Sequence, residues 1–265
     1  MLGLISPCPE KGGRAFYSQS HAPAGTTILC KEKPIAIALT DTTRIDKAST
    51  LVLLAVAAIR TSFENAEVAD QLDSLCTPSS GAYFPPQQQT HLRHQAAIVW
   101  NILTQDTIIS ITEENCYHVL LQLSCNAFVL SNGAMTPIGL AVYHITSSIN
   151  HSCNPNCRQI FSNHEVSIVS DREIHMNEEI TIAYEDISKP CWFRRYNLYQ
   201  KYYFLCLCSR CSHGDGDVND GYRCITAECS LENRCSTVLS SLCNTTPCDY
   251  ENTAHNIATI TNTNT

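Results

Sequence analysis

Between residues 47 and 74 the apolar positions Leu51, Leu54, Ala55, Ala58 and Ile59 recur at separations of three and four. That is the period of a helix that buries one face. Two more helices are predicted at about 91–104 and 112–124, the second opening on Thr112-Glu113-Glu114, where a capping hydroxyl precedes two acids favoured by the helix dipole. The run TPSSGAYFPPQQQT at 77–90 carries three prolines and a Gln run, and reads as a loop. Elsewhere the period is shorter. Residues 13–39 suggest two short strands around the turn Pro23-Ala24-Gly25, with β-prone Thr26-Thr27-Ile28-Leu29 after it. After Asn126, the runs at Val129, Ile138–Tyr143, Val166–Val169 and Ile180–Ala183 are β-type and separated by turn residues, and 190–203 returns to helical spacing.

From 212 onward the chain is rich in Gly, Asp, Asn and Cys, and its last dozen residues in Asn and Thr, which predicts disorder at the end. No internal repeat is present. With 265 residues, 44% of them apolar, the chain has the material for one large domain with appendages. The formal net charge of −8 opposes phosphate-tracking nucleic-acid binding, which needs clustered Lys and Arg. An acidic balance suits Lys-rich partners, although most acidic proteins are simply soluble.

Sixteen cysteines change the picture. A disulfide framework requires an oxidising compartment, yet MLGLISPCPEKGGR has no basic region followed by an apolar core, so no secretory leader is expected. No apolar run approaches the roughly 18 residues of a membrane span, so no membrane association is expected. Clustered thiols then point to zinc. Cys206, Cys208 and Cys211 lie within six residues and can converge on one tetrahedral ion that still needs a fourth ligand. The Asn150–Cys157 run, NHSCNPNC, offers one. Its turn formers mark it as a loop that either sits on the surface or builds a site. Cys30, Cys76 and Cys116 stand apart and are expected to be small core residues. Cys224-x4-Cys229 and Cys243-x4-Cys248, with Cys235 between them, fit either a second zinc knuckle or a loose tail with free thiols.

These motifs together resemble the SET-domain methyltransferases. Asn150–Asn156 is similar to the family's central motif. Glu178-Glu179-Ile180-Thr181-Ile182-Ala183-Tyr184 resembles the strand ending in the active-site tyrosine, and Tyr203–Cys211 the post-SET segment with its CxC-x2-C pattern. Gly13-Arg14-Ala15-Phe16 followed by Pro23-Ala24-Gly25-Thr26 is similar to the opening element. The four occur in family order over 13–211. Leu123-Ser124-Cys125-Asn126-Ala127-Phe128 and the helical insert resemble the SMYD type.

The resemblance implies an α+β fold, mostly β, of small sheets with a pseudoknot. The SET domain would cover 1–205 with its helical insert at about 47–124, the post-SET zinc segment 206–212, a Cys-rich extension 213–250 and a disordered tail 251–265. It implies an S-adenosylmethionine-dependent protein-lysine N-methyltransferase, acting on a protein with a target lysine such as a histone tail, without direct nucleic-acid or membrane contact, in nucleus and/or cytoplasm. The alternative is an inactive SET domain serving as a zinc-stabilised interaction module.

The resemblance implies the residue roles that follow: by position, Tyr184 would be the catalytic tyrosine. Tyr184, Tyr202 and Phe204 line the lysine channel. Arg14, Asn126, Ser147, Asn150, His151 and Phe204 contact the cofactor, although Asn126 could equally bridge a turn. Cys153, Cys206, Cys208 and Cys211 hold zinc, with Cys157 a bystander and Cys224, Cys229, Cys243 and Cys248 the second candidate set. Two departures stand out. The zinc finger that SMYD proteins insert after the segment matching Lys33–Ala36 is missing, since no cysteine lies between Cys30 and Cys76, and Ala15 replaces the usual glycine.

Overall fold

The computed structural model describes residues 2–8, 13–40, 49–78, 84–105, 109–134 and 136–212. The Cys-rich extension, its four candidate ligands and the terminal tail lie outside the described residues.

Among the described residues, ten strands form three small sheets. β1 (Gly3–Cys8), β2 (Gly13–Ser18), β10 (Glu179–Ile182) and β7 (Asn150–His151) make the first, in that order. β3 (Thr27–Glu32), β9 (Glu165–Ser170) and β8 (Cys157–Ser162) make the second; β4 (Ala36–Leu39), β6 (Pro137–Val142) and β5 (Ala127–Ser131) make the third. Neighbours are antiparallel except β7 and β10, which pair in parallel with Asn150 opposite Thr181 and His151 opposite Ile182. This pair is the knot-like meeting of the two motif segments, and it corrects the reading of 150–157 as loop throughout. A two-residue strand whose partner lies some thirty positions later leaves no local period to read.

The helical insert packs as a separate layer. α1 (Thr50–Glu64) starts at Ser49, whose side chain accepts from the Val52 N–H, and buries Val52, Leu54, Ala55, Val56, Ala58 and Ile59. Asn65 ends α1 and caps α2 (Ala66–Asp73) through a 2.9 Å bond from the Glu67 N–H. α3 (Pro86–Leu103) begins five residues earlier than the 91 expected, because proline at the first helical position already has the right φ and lacks only an N–H that would go unbonded. The Gln run is therefore helix, not loop. Thr112 and Asn115 form a reciprocal capping box on α4 (Glu113–Asn126). These helices share one apolar core with β4 and β6, while a second core of Phe16, Ile28, Ile149, Ile168 and Ile182 fills the space between the sheets.

α5 (Cys191–Tyr202) ends at Tyr203, which adopts the left-handed conformation (φ 61°, ψ 31°) and stacks edge-on against Phe84 at 4.6 Å. This reversal sends the chain into the cysteine-rich segment and the short α6 (Ser209–Ser212). Of the three cysteines expected in the core, Cys116 is buried, Cys76 is half-buried and Cys30 is exposed, at a point where the pairing register of β3 shifts and its in-out alternation breaks down. Among the described residues, no helix is long and apolar enough to cross a membrane.

Candidate active site and thiol cluster

β10 delivers Tyr184. Its hydroxyl donates to the Ile149 carbonyl at 2.5 Å, and its backbone N–H donates to His151 Nδ1 at 3.0 Å. Burial raises the Tyr184 pKa, so it remains a phenol. With its proton committed to Ile149, the phenol oxygen can act only as an acceptor toward a bound group. Tyr202 lies 4.9 Å away, His151 5.4 Å and Phe204 6.4 Å between ring centroids. Four predicted residues thus meet in one aromatic cluster around Tyr184.

The strand is held by Asn156, the last residue of the central motif. Its buried amide donates to the Glu179 carbonyl (2.8 Å) and to Glu178 Oε1 (3.1 Å), and accepts from the Thr181 N–H (2.8 Å). Asn150 Nδ2 bonds the Arg14 carbonyl (3.0 Å) and Glu179 Oε1 (2.9 Å), fastening β7 to β2 and β10. Asn126 directs its amide N–H groups to the carbonyls of Cys76 and Gln122, both at 2.7 Å, and its own carbonyl accepts from Ser147 Oγ at 3.2 Å. It therefore bridges the end of α4 to the preceding loop. Ser147 sits in a 3₁₀ turn, Thr146–Ser148, capped by the Glu32 carboxylate through the Ile145 and Thr146 N–H groups at 2.6 and 2.9 Å. Arg14 approaches Cys76 Sγ at 3.8 Å, and Ala15 is wholly buried in β2.

A cavity of about 200 Å³ opens beside Tyr184. Tyr202, Asn126 and Ser147 line it together with Cys125, Phe128, Gln159 and Phe161. Arg14, Asn150, His151 and Phe204 do not. Phe128 and Phe161, which sequence reasoning left without a role, come from β5 and β8, the edge strands of their sheets. Phe128 stands in the quoted LSCNAF motif and was open to inference. Gln159 and Phe161 carry no motif.

Cys153, Cys206, Cys208 and Cys211 bring their sulfurs within 4.8 Å of one another. Cys153 Sγ lies 3.9 Å from Cys206 Sγ and 3.5 Å from Cys211 Sγ. Tetrahedral zinc with bonds of about 2.3 Å needs sulfurs about 3.8 Å apart, so the set fits zinc. The surroundings fit as well. Arg194, fully buried, donates to Cys153 Sγ (3.1 Å) and Cys211 Sγ (3.6 Å). His151 accepts at Nδ1, so its neutral ring carries the proton on Nε2, which faces Cys153 Sγ at 3.2 Å. Donors aimed at sulfur offset the negative charge of four thiolates. Cys157 stays in the sheet core, away from the cluster, with burial pushing its thiol up to about 12.

Residues 13–185 match the SET domain, and the chain belongs to the SET-domain family. It is similar to mouse histone-lysine N-methyltransferase SMYD3, 35% identical over 103 residues that make up 39% of this chain and 24% of that protein. It is also similar to SET domain and MYND-type zinc finger protein 6 of Schizosaccharomyces pombe, 38% identical over 92 residues, 35% of this chain and 19% of that one. The chain thus spans about a quarter or less of the length of these relatives. The solved SET domain of LSMT, bound to lysine and AdoHcy, has the same fold, with a TM-score of 0.50 at 15% identity over 77% of this chain and 53% of that one.

Proposed function

We propose that the protein is an S-adenosylmethionine-dependent protein-lysine N-methyltransferase. The observation that carries the reading is the cavity bounded by Tyr184 and Tyr202, adjoining the strands that bear the two central SET motifs. S-adenosylmethionine would supply a methyl group on a positively charged sulfonium, ready for displacement by an amine. Arg14, Asn126, Ser147, Asn150, His151 and Phe204 are the residues proposed to receive it, Asn126 and Asn150 through groups other than their engaged amide nitrogens.

The chain's own task is to bind and align. A lysine amine must be neutral to attack, which for a free side chain of pKa about 10.4 costs roughly 4 to 5 kcal/mol near pH 7. Phe128, Tyr184 and Tyr202 would exclude water and favour the uncharged amine. The Tyr184 oxygen, already donating to Ile149, is free to accept from a polarised N–H or C–H group and so fix its direction. Zinc held by the four cysteines would tie the Cys206–Cys211 segment against the wall of the site.

The chain's net charge of −8 favours a basic substrate, and the mouse relative's name makes histones the first candidates. Residence in nucleus or cytoplasm is part of the same proposal. The test incubates purified protein with radiolabelled S-adenosylmethionine and either histones or whole-cell extract, followed by mass spectrometry of labelled protein. Label on a lysine side chain is the expected result. No transfer, together with no calorimetric binding of the cofactor, overturns the reading in favour of a zinc-stabilised interaction module.

A further inference from the structure

A different group of ligating side chains lies away from the proposed active site. Ala22 and Ile174 form an isolated antiparallel bridge, exchanging N–H···O bonds of 2.9 Å in both directions. Both side chains point inward, with 1% and 0% of their surface exposed. Side chains alternate along extended backbone, so Glu173 and His175 emerge together on the outer side of Ile174, and His21 emerges beside them. His21 Nε2 touches Glu173 Oε1, and the His21 and His175 rings are 6.1 Å apart. One ligand atom from each of the three lies within 4.8 Å of the others. All three are exposed. Arg172, the neighbouring cation, is already paired with Glu178 and leaves Glu173 to the histidines.

We propose that His21, Glu173 and His175 form a surface binding site for divalent zinc, separate from the thiol cluster. Two imidazoles and one carboxylate are a donor set suited to this ion, with water completing the coordination. The bridge fixes the backbone beneath all three, so assembly needs only side-chain rotation. A bound ion would clamp the His21–Ala22 segment to the 173–175 turn. It would also lie two links from β10, because the His175 N–H donates to Glu178 Oε2 at 2.9 Å and Glu178 in turn holds Asn156.

The test starts from protein with its tightly held zinc in place and loosely held metal removed by brief chelation. Zinc ion is then titrated in a calorimeter at neutral pH. The parent should take up an additional zinc, and His21→Ala and His175→Ala should each weaken that uptake by at least roughly tenfold, the order seen when groups shaping a metal site are removed. His94→Ala, an exposed histidine on α3, should behave as the parent. All these side chains are exposed, so the variants retain the fold. An isotherm unchanged by both His21→Ala and His175→Ala overturns the site and assigns any extra zinc to other ligands.

Discussion

Tyr184 joins two bonds that do different work. Its N–H anchors it to His151, and its hydroxyl anchors it to Ile149. Tyr184→Phe keeps the first bond and the ring packing but deletes the second. The stability lost should be roughly 1 kcal/mol, the usual worth of one such bond. Turnover should fall roughly tenfold or more, because misplacement of about 1 Å at a reacting centre can cost about 100-fold. Cofactor affinity should fall less than turnover. Single-turnover methyl transfer beside a thermal melt checks this, and a variant as active as the parent would remove Tyr184 from the chemistry. At this scale the sequence was informative about which residues assemble and less so about what each touches. Tyr184, Tyr202, Phe204 and the four cysteines could be named from motifs, since motif spacing encodes them. That Asn126 would spend part of its amide on Cys76, or that Asn156 would hold β10, depends on partners 20 to 50 positions away, which no spacing reveals.

Among the elements, β10 is short and owes its placement to side chains as well as to its neighbours. Glu178, just before it, is the hub. Burial would raise its pKa, but the Arg172 guanidinium, the His175 N–H and the Asn156 amide outweigh that and hold it down to about 2. An unfolded glutamate titrates near 4.3. With the folded value the lower one, the stabilisation is complete above about pH 4.3 and is lost as pH falls toward about 2, an effect of about 3 kcal/mol. Glu178→Gln should therefore melt at lower temperature than the parent at neutral pH, and the difference should close as both are taken from pH 4.5 toward pH 2. A gap that stays constant with pH would show that the carboxylate's charge is not what matters. The helical insert was legible because its apolar residues keep a regular period and its caps are local. β1 and β8 were not. β8 is an edge strand that buries only Cys157, so hydrophobic alternation is absent from its sequence.

At the scale of the whole molecule, two apolar cores are supplemented by a third cluster of Cys153, Leu198 and Cys206, too small to hold a segment by burial alone. Zinc held by the four cysteines would supply what is missing, since structural zinc contributes on the order of 10 kcal/mol or more. Stripping zinc with a strong chelator, or Cys208→Ser, should lower the melting temperature sharply, checked by metal analysis on the same samples. An unchanged melt in fully stripped protein would refute a structural role. Arg194 adds to the penalty, because a buried guanidinium that loses its thiolates is left facing uncharged sulfur. The cluster also joins distant parts of the chain. Cys153 lies on one side of the tight turn at Asn163 and His164, both at positive φ, and the other three ligands lie on the far side. That turn has Asn163 exposed at its tip, the sort of place where a protease enters. A backbone severed there would leave two polypeptides still paired through β8 and β9 and riveted by the same ion, running as one species on a native gel and as two fragments once denatured.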